Sequence, residues 1–176
     1  MKKVLLSFIF LISCANATEK IEAKIEFVKD GDTMDFVANG TKFTCRVLGI
    51  DSPEKYDSNK LKQEARKFNI PVSKITNAGK RATSYAKNYF SQNNNYIVSF
   101  YGKDKYDRNL CVISDDRGYY NLNVIAGGFA VVFKKGKYIK DGQLKKSLKE
   151  AQNDASFKKI GLWLDFNDVM EAMAND

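Results

Sequence analysis

Histidine does not occur in this chain, and its absence narrows the chemistry sharply. There can be no Ser-His-Asp triad, no Cys-His pair and no histidine ligand for zinc. A general base acting near neutral pH must then be a carboxylate, a lysine, a tyrosine or a metal-bound hydroxide. A long apolar run is missing as well: Val4 to Ile12 covers roughly nine residues, against the about 20 that a membrane-spanning helix needs. Cysteine is scarce. Of the three, Cys14 lies beside that apolar stretch, leaving Cys45 and Cys111, which can form a disulfide in an oxidising compartment or stand as two buried thiols. No internal repeat and no low-complexity tract interrupts the sequence. With 176 residues, 44% of them hydrophobic, the chain suits one domain with a proper core.

The first residues read as a targeting segment. Lys2-Lys3 is a positive n-region and Val4 to Ile12 the apolar region of a signal peptide. Two processing sites compete. Ala15-Asn16-Ala17 is a small-x-small site that releases a chain starting at Thr18, whereas Leu11-Ile12-Ser13-Cys14 resembles a bacterial lipobox that leaves a lipidated Cys14. Either implies export, to the periplasm or medium in one case and to a lipid anchor in the cell envelope in the other. The expected organisation is a leader over 1–17, one monomeric domain over 18–165, and an acidic tail over 166–176. Removing the leader takes away Lys2 and Lys3 and no acid, so the net charge falls from +8 to +6. A basic body favours polyanions such as nucleic acid or an anionic membrane.

Periodicity gives the elements. Lys24 to Val28 alternates as a strand, with Ile25 and Phe27 on one face; Asp30-Gly31 is a turn, Met34 to Val37 the return strand, Asn39-Gly40 a second hairpin turn, and Lys42 to Ile50 a third strand. On that third strand Phe43, Cys45 and Val47 share one face and Arg46 lies on the other. Tyr56 to Thr76 is polar and Lys-rich; Leu61, Ala65 and Phe68 are spaced for a short helix within it. Ala82, Tyr85, Ala86, Tyr89 and Phe90 form an amphipathic helical stripe from Asn77 onward. Tyr96 to Tyr101 and Leu110 to Ser114 are further strands, Leu122 to Ala126 one or two helical turns, and Leu144, Leu148, Ala151 and Ala155 mark a last helix near which Trp163 packs. Three strands, a helix, two strands and a helix is the order of a five-stranded Greek-key barrel of the OB type with two or three helices.

Three charged clusters carry the chemistry: Asp30-Gly31-Asp32-Thr33, then Arg46 with Asp51-Ser52-Pro53-Glu54, then Asp104-Lys105-Tyr106-Asp107-Arg108. Each alone reads as a turn or a solvated loop, and the first is no EF-hand loop, since its glycine comes too early. In the proposed barrel all three sit at strand ends. A meander brings the start of its second strand, with Asp32, near the end of its third, with Asp51. Two carboxylates with a backbone carbonyl and waters suit a hard cation such as Ca²⁺ or Mg²⁺. Arg46, and Arg108 if the fifth strand lies beside the third, can fork onto a phosphate, while Glu54 aligns or deprotonates a water.

These segments, with Gly127-Gly128-Phe129-Ala130 and Lys158-Lys159-Ile160-Gly161-Leu162-Trp163, resemble staphylococcal-type thermonucleases in order and spacing over roughly Lys24 to Trp163. The resemblance implies an OB-fold and a Ca²⁺-dependent endonuclease (with Mg²⁺ or Mn²⁺ as alternative ions) that cuts DNA and RNA with low sequence specificity and leaves 3′-phosphate ends. It implies metal ligation by Asp32, Asp51 and the Ser52 carbonyl, phosphate binding by Arg46 and Arg108, a water served by Glu54, and contact of Lys105 and Tyr106 with a terminal nucleotide phosphate. Four departures stand out. Ser52 replaces a usual Thr, and Asp107 stands where Gly is common. The stretch between Glu54 and Gly79 is longer than in the type member. The base-stacking tyrosine has only Phe133 and Tyr138 as nearby counterparts. The rival readings are a non-catalytic OB module binding single strands at the envelope, and a lipid-anchored envelope protein whose charged loops only keep it soluble. Pure binding of single strands would not need Glu54 together with both arginines.

Overall fold

The computed structural model describes residues 19–133 and 142–176. Strand β1 (Lys20–Val28) pairs antiparallel with β2 (Thr33–Ala38), and β2 with β3 (Thr41–Val47). The β2–β3 turn is Asn39-Gly40, both at positive φ (49° and 75°), the backbone that a two-residue hairpin matched to strand twist requires. β1 also pairs antiparallel with β5 (Asn95–Lys103), and β5 with β6 (Asn109–Asp115). A parallel pairing of β3 with β6, Arg46 opposite Leu110, then closes the five long strands into a barrel, as the OB reading expected. The short β4 (Ile50–Asp51) pairs with β8 (Val131–Val132), and β7 (Gly118–Tyr119) extends β6.

One strand departs from simple alternation. The β1–β2 register shifts between Ile25 and Phe27, so Val28 turns into the core while Phe27 is left about half exposed. A bulge inserts one residue on one strand, which reverses the faces beyond it.

Helices are more numerous than the two or three expected. The Lys-rich stretch contains α1 (Asn59–Phe68), whose start and stop are written in its flanks: the Ser58 hydroxyl accepts the Leu61 amide at 3.1 Å, and Asn69 sits in the left-handed region ahead of Pro71. Helix α2 (Val72–Tyr89) begins directly after Pro71, earlier than its stripe suggested. Then follow α3 (Tyr120–Ala126), α4 (Gly142–Phe157), α5 (Leu162–Asp165) and α6 (Asn167–Asn175). Residues 166–176 are acidic, yet they are part of the packed body rather than a tail outside it. Val169, Met170 and Met173 are buried with Leu61, Ile75, Ala78, Ala82 and Trp163, and Asp168 pairs with Lys74 at 2.7 Å. The barrel core proper gathers Met34, Phe36, Val47, Tyr96, Val98 and Ile113 under Ala86, Tyr89 and Phe90 of the α2 end.

Cys45 of β3 and Cys111 of β6 form a disulfide, their Cα atoms 5.6 Å apart, across the pairing that closes the barrel. Of the two readings open for this pair, the bridged one holds. The link joins residues 66 apart in sequence. Loop entropy for a closure of that length implies that reduction lowers the unfolding free energy by about 4 kcal/mol. Denaturant titrations with and without reductant check this: equal midpoints and slopes would contradict it.

Candidate active site

The site is assembled by backbone contacts between distant loops. In the β1–β2 turn the Lys29 and Asp30 amides donate to the Thr33 carbonyl at 3.0 and 3.1 Å, and the Asp32 amide donates to Asp30 Oδ1 at 3.0 Å. The Val47 amide donates to the Asp32 carbonyl at 2.8 Å, which stitches this turn to the end of β3. Two consecutive buried residues at the start of α3 fix the loops from behind. Tyr120 donates its hydroxyl to the Gly31 carbonyl and the Asn121 amide donates to the Leu48 carbonyl, both at 2.7 Å. Close backbone approach does the rest. A Cβ on Gly31 would fall 2.8 Å from Ser52 Cβ, and one on Gly79 would fall 2.5 Å from the Glu54 carbonyl. Helix α2 therefore lies directly against the Pro53–Glu54 backbone, and only glycine permits that contact.

Asp32 and Asp51 meet on one guanidinium. Arg46 Nη2 donates to Asp51 Oδ1 at 2.7 Å, and Nη1 lies 2.7 Å from Asp32 Oδ2. The second contact is an ion pair without hydrogen-bond alignment, and buried Nη1 has no hydrogen-bond acceptor among the described residues. Asp32 Oδ2 also accepts the Ser52 amide at 2.7 Å, and Asp32 Oδ1 accepts the Thr33 hydroxyl at 3.1 Å. Glu54 joins through a lysine: Lys60 Nζ is 2.6 Å from Glu54 Oε1, 3.9 Å from Asp51 Oδ1 and 3.5 Å from Glu64 Oε1.

Acids outnumber bases here, and burial is the main influence on their ionisation. Burial raises Asp30 from 3.8 to about 7, with the neighbouring Asp32 charge adding to the effect. Burial likewise raises Asp51 and Glu64, despite Arg46 and Lys60 respectively. Burial also works against an ionised Asp32, but Arg46 and the Ser52 amide outweigh it and hold that carboxyl below its usual range. For Arg46 the pull of Asp32 and Asp51 exceeds the burial penalty, so its guanidinium is held more firmly charged than usual. Among the described residues no three Asp, Glu or Cys side chains converge as a ready-made metal cluster. The available donors, two carboxylates and backbone carbonyls with an excess of negative charge, fit a hard divalent cation that keeps several waters.

The third cluster is a self-contained hairpin turn between β5 and β6. Asp104 Oδ1 accepts the Tyr106 and Arg108 amides at 2.8 and 3.0 Å, and its Oδ2 accepts Arg108 Nε at 2.7 Å. Asp107 has φ of 62°, the left-handed backbone that explains why glycine suits this position, and aspartate adopts it more readily than most residues. The Tyr106 ring is exposed, with Lys105 Nζ 4.9 Å and the Arg108 guanidinium 5.5 Å from its centre. Arg108 thus stands on its own carboxylate partner, and the parallel register sets it two residues before Leu110, which is opposite Arg46.

Residues 44–165 match the family of staphylococcal nuclease homologues. This chain belongs to that family. It is 30% identical over 172 residues to an uncharacterized endonuclease of Haemophilus influenzae, with 96% of this chain and 82% of that protein aligned. An uncharacterized endonuclease of Escherichia coli O157:H7 is 27% identical over 170 residues, covering 96% of this chain and 94% of the relative. As a staphylococcal nuclease homologue the chain carries a nuclease domain whose substrate is nucleic acid. The matched span holds Arg46, Asp51, Ser52, Glu54, Lys105, Tyr106 and Arg108; Asp32 precedes it and reaches the site through the β1–β2 turn.

Of the residues read from sequence, Asp32, Arg46, Asp51, Ser52 and Glu54 form one cluster in this nuclease, while Lys105, Tyr106 and Arg108 form a second at the adjoining hairpin. Ser52 takes part through its amide, which donates to Asp32. Tyr138 lies outside the described residues, and Phe133 is partly exposed after β8. Sequence reasoning missed Lys60 and Glu64. Their four-residue spacing beside the Leu61 and Ala65 stripe was the available signal.

The shift at Asp30 has a consequence for stability. Between pH 3.8 and about 7 the folded protein holds a proton on Asp30 that the unfolded chain has lost, so this group makes stability fall as pH rises through that window. Asp30→Asn keeps the oxygen that accepts the Asp32 amide. In chelator, thermal unfolding from pH 4 to 8 should show a shallower decline for Asp30→Asn and a higher midpoint near pH 8. Parallel profiles would refute the assignment.

Proposed function

We propose that this nuclease hydrolyses phosphodiester bonds of DNA and RNA with low sequence specificity, depends on a divalent cation, Ca²⁺ first among Ca²⁺, Mg²⁺ and Mn²⁺, and leaves 3′-phosphate ends. The observation that carries the reading is the single guanidinium of Arg46 lying 2.7 Å from both Asp32 and Asp51, with Glu54 tied to the same group through Lys60. Asp32 and Asp51, with the Ser52 carbonyl, would hold the cation, which when bound supplies positive charge to the phosphodiester. Arg46, released from Asp32 and Asp51 once a cation neutralises them, turns its guanidinium onto a non-bridging phosphate oxygen. Arg108 keeps further donors free of Asp104 for a second oxygen, since a guanidinium has five N–H bonds. Both charges then stabilise the crowded phosphorus centre of an in-line displacement. Glu54 accepts a hydrogen bond from the attacking water and orients it. Lys105 and Tyr106 meet the neighbouring nucleotide, where an exposed ring and an ammonium can take a base or a phosphate.

Export completes the reading. The basic-then-apolar leader supports it, and a Cys45–Cys111 bridge belongs in an oxidising compartment. The exported chain acts as a monomer, lipid-anchored through Cys14 or released after Ala17; mass spectrometry of its N-terminus separates the two.

Incubation of the purified protein with DNA and with RNA, each with Ca²⁺, Mg²⁺ or Mn²⁺ and then with chelator, should give cleavage that chelation stops and that weakens as salt rises. Glu54→Gln should lower kcat on the order of 10²-fold with little change in KM. A Glu54→Gln protein that cuts as fast as the parent, or cleavage indifferent to chelator, would overturn the mechanism.

A further inference from the structure

Helix α1 lies in the stretch between Glu54 and Gly79, and it delivers a lysine to the acid cluster. Its position is fixed at both ends, by the Ser58 cap and the left-handed Asn69, and from beneath by buried Leu61 and Ala65. Lys60 precedes Leu61, so the packing that docks the helix also sets the root of the lysine side chain. Its ammonium reaches Glu54 at 2.6 Å, Glu64 at 3.5 Å and Asp51 at 3.9 Å, three carboxylates that are each mostly shielded from solvent. The Glu54 backbone is immobilised against Gly79, which leaves the direction of its carboxylate to be decided by side-chain rotation. Glu54 Oε1 accepts its hydrogen bond from Lys60.

We propose that Lys60 is a positioning residue of this nuclease, holding the Glu54 carboxylate turned toward Asp51 against the repulsion of Asp51 and Glu64. The inference rests on the reading of Glu54 as the residue that orients water. Without the ammonium, Glu54 faces two like charges and turns outward, and the water loses its acceptor. The same charge lies close to Asp51, so it also opposes a cation held there. Lys60 therefore favours turnover while weakening cation binding. A lysine that gripped substrate phosphate, or one that only stabilised α1, would show neither opposition.

Lys60→Gln, Lys60→Arg and Lys62→Gln separate these cases, Lys62 being a charge on the same helix paired with exposed Asp57 at 3.1 Å. For Lys60→Gln, kcat on DNA should fall on the order of tenfold with KM nearly unchanged. Calorimetry of the same variant with Ca²⁺ alone, no substrate present, should show severalfold tighter binding. Lys60→Arg should recover most of kcat, and Lys62→Gln should match the parent. Unchanged kcat in Lys60→Gln overturns the proposal. So does a loss confined to KM with a shallower salt dependence, which marks a phosphate contact, or a joint loss of kcat, cation affinity and thermal stability, which marks a structural role. A parent protein that cleaves with no cation defeats the nuclease mechanism instead, and the Ca²⁺ isotherms still decide whether Lys60 opposes a charge at Asp51.

Discussion

Arg46 holds two aspartates that could not otherwise stay ionised so close together. Burying a carboxylate is costly unless it is paired, and removing one partner of a buried ion pair typically destabilises by about 3–5 kcal/mol. Here one guanidinium serves Asp32 and Asp51, while burial, with the neighbouring Asp32 charge adding to it, keeps Asp30 protonated up to about pH 7. The surrounding structure reads as the means of enforcing that arrangement. Gly31 and Gly79 let backbones touch, Tyr120 and Asn121 tether the two loops, and the disulfide clamps β3 to β6 one residue before Arg46.

Charge is distributed on two scales. The chain as a whole is strongly basic, at +8, which draws a polyanion toward it. Within that field the site gathers Asp30, Asp32, Asp51, Glu54 and Glu64 around Arg46 and Lys60. An acid cluster set inside a basic body suits the proposed nuclease reading, in which the body attracts the polyanion and the cluster holds a cation. The acidic C-terminal segment plays a different part. Its Asp168 and Asp176 pair with Lys74 and Lys67 on the first two helices, and its methionines seal the second core.

Much of this was legible in sequence because it is local. The Asn39-Gly40 turn fixes the β2–β3 register, which sets Arg46 opposite Thr33, beside Asp32. The five-strand order followed from periodicity, and the motif resemblance agreed with it. Other features were hidden for physical reasons. A bulge leaves alternation intact on paper while reversing Phe27 and Val28 in space. Helix α1 itself was legible in the Leu61, Ala65 and Phe68 spacing, with Ser58 and Asn69 at its ends. Lys60 on it went unread, because its partners Asp51 and Glu54 become neighbours only once the helix docks. Residues 166–176 read as an acidic tail because their apolar side, Val169, Met170 and Met173, finds its partners on α1, α2 and α5.

The central claim is that Asp32 and Asp51 share one cation and that Arg46 is freed for phosphate when they do. Crystals of the full chain soaked with Mn²⁺ and a nucleotide, measured for anomalous scattering, test it most directly. The account predicts one peak within bonding distance of both carboxylates, with the Arg46 guanidinium turned from between them onto the phosphate. A peak elsewhere, with Arg46 still bridging Asp32 and Asp51, would contradict it.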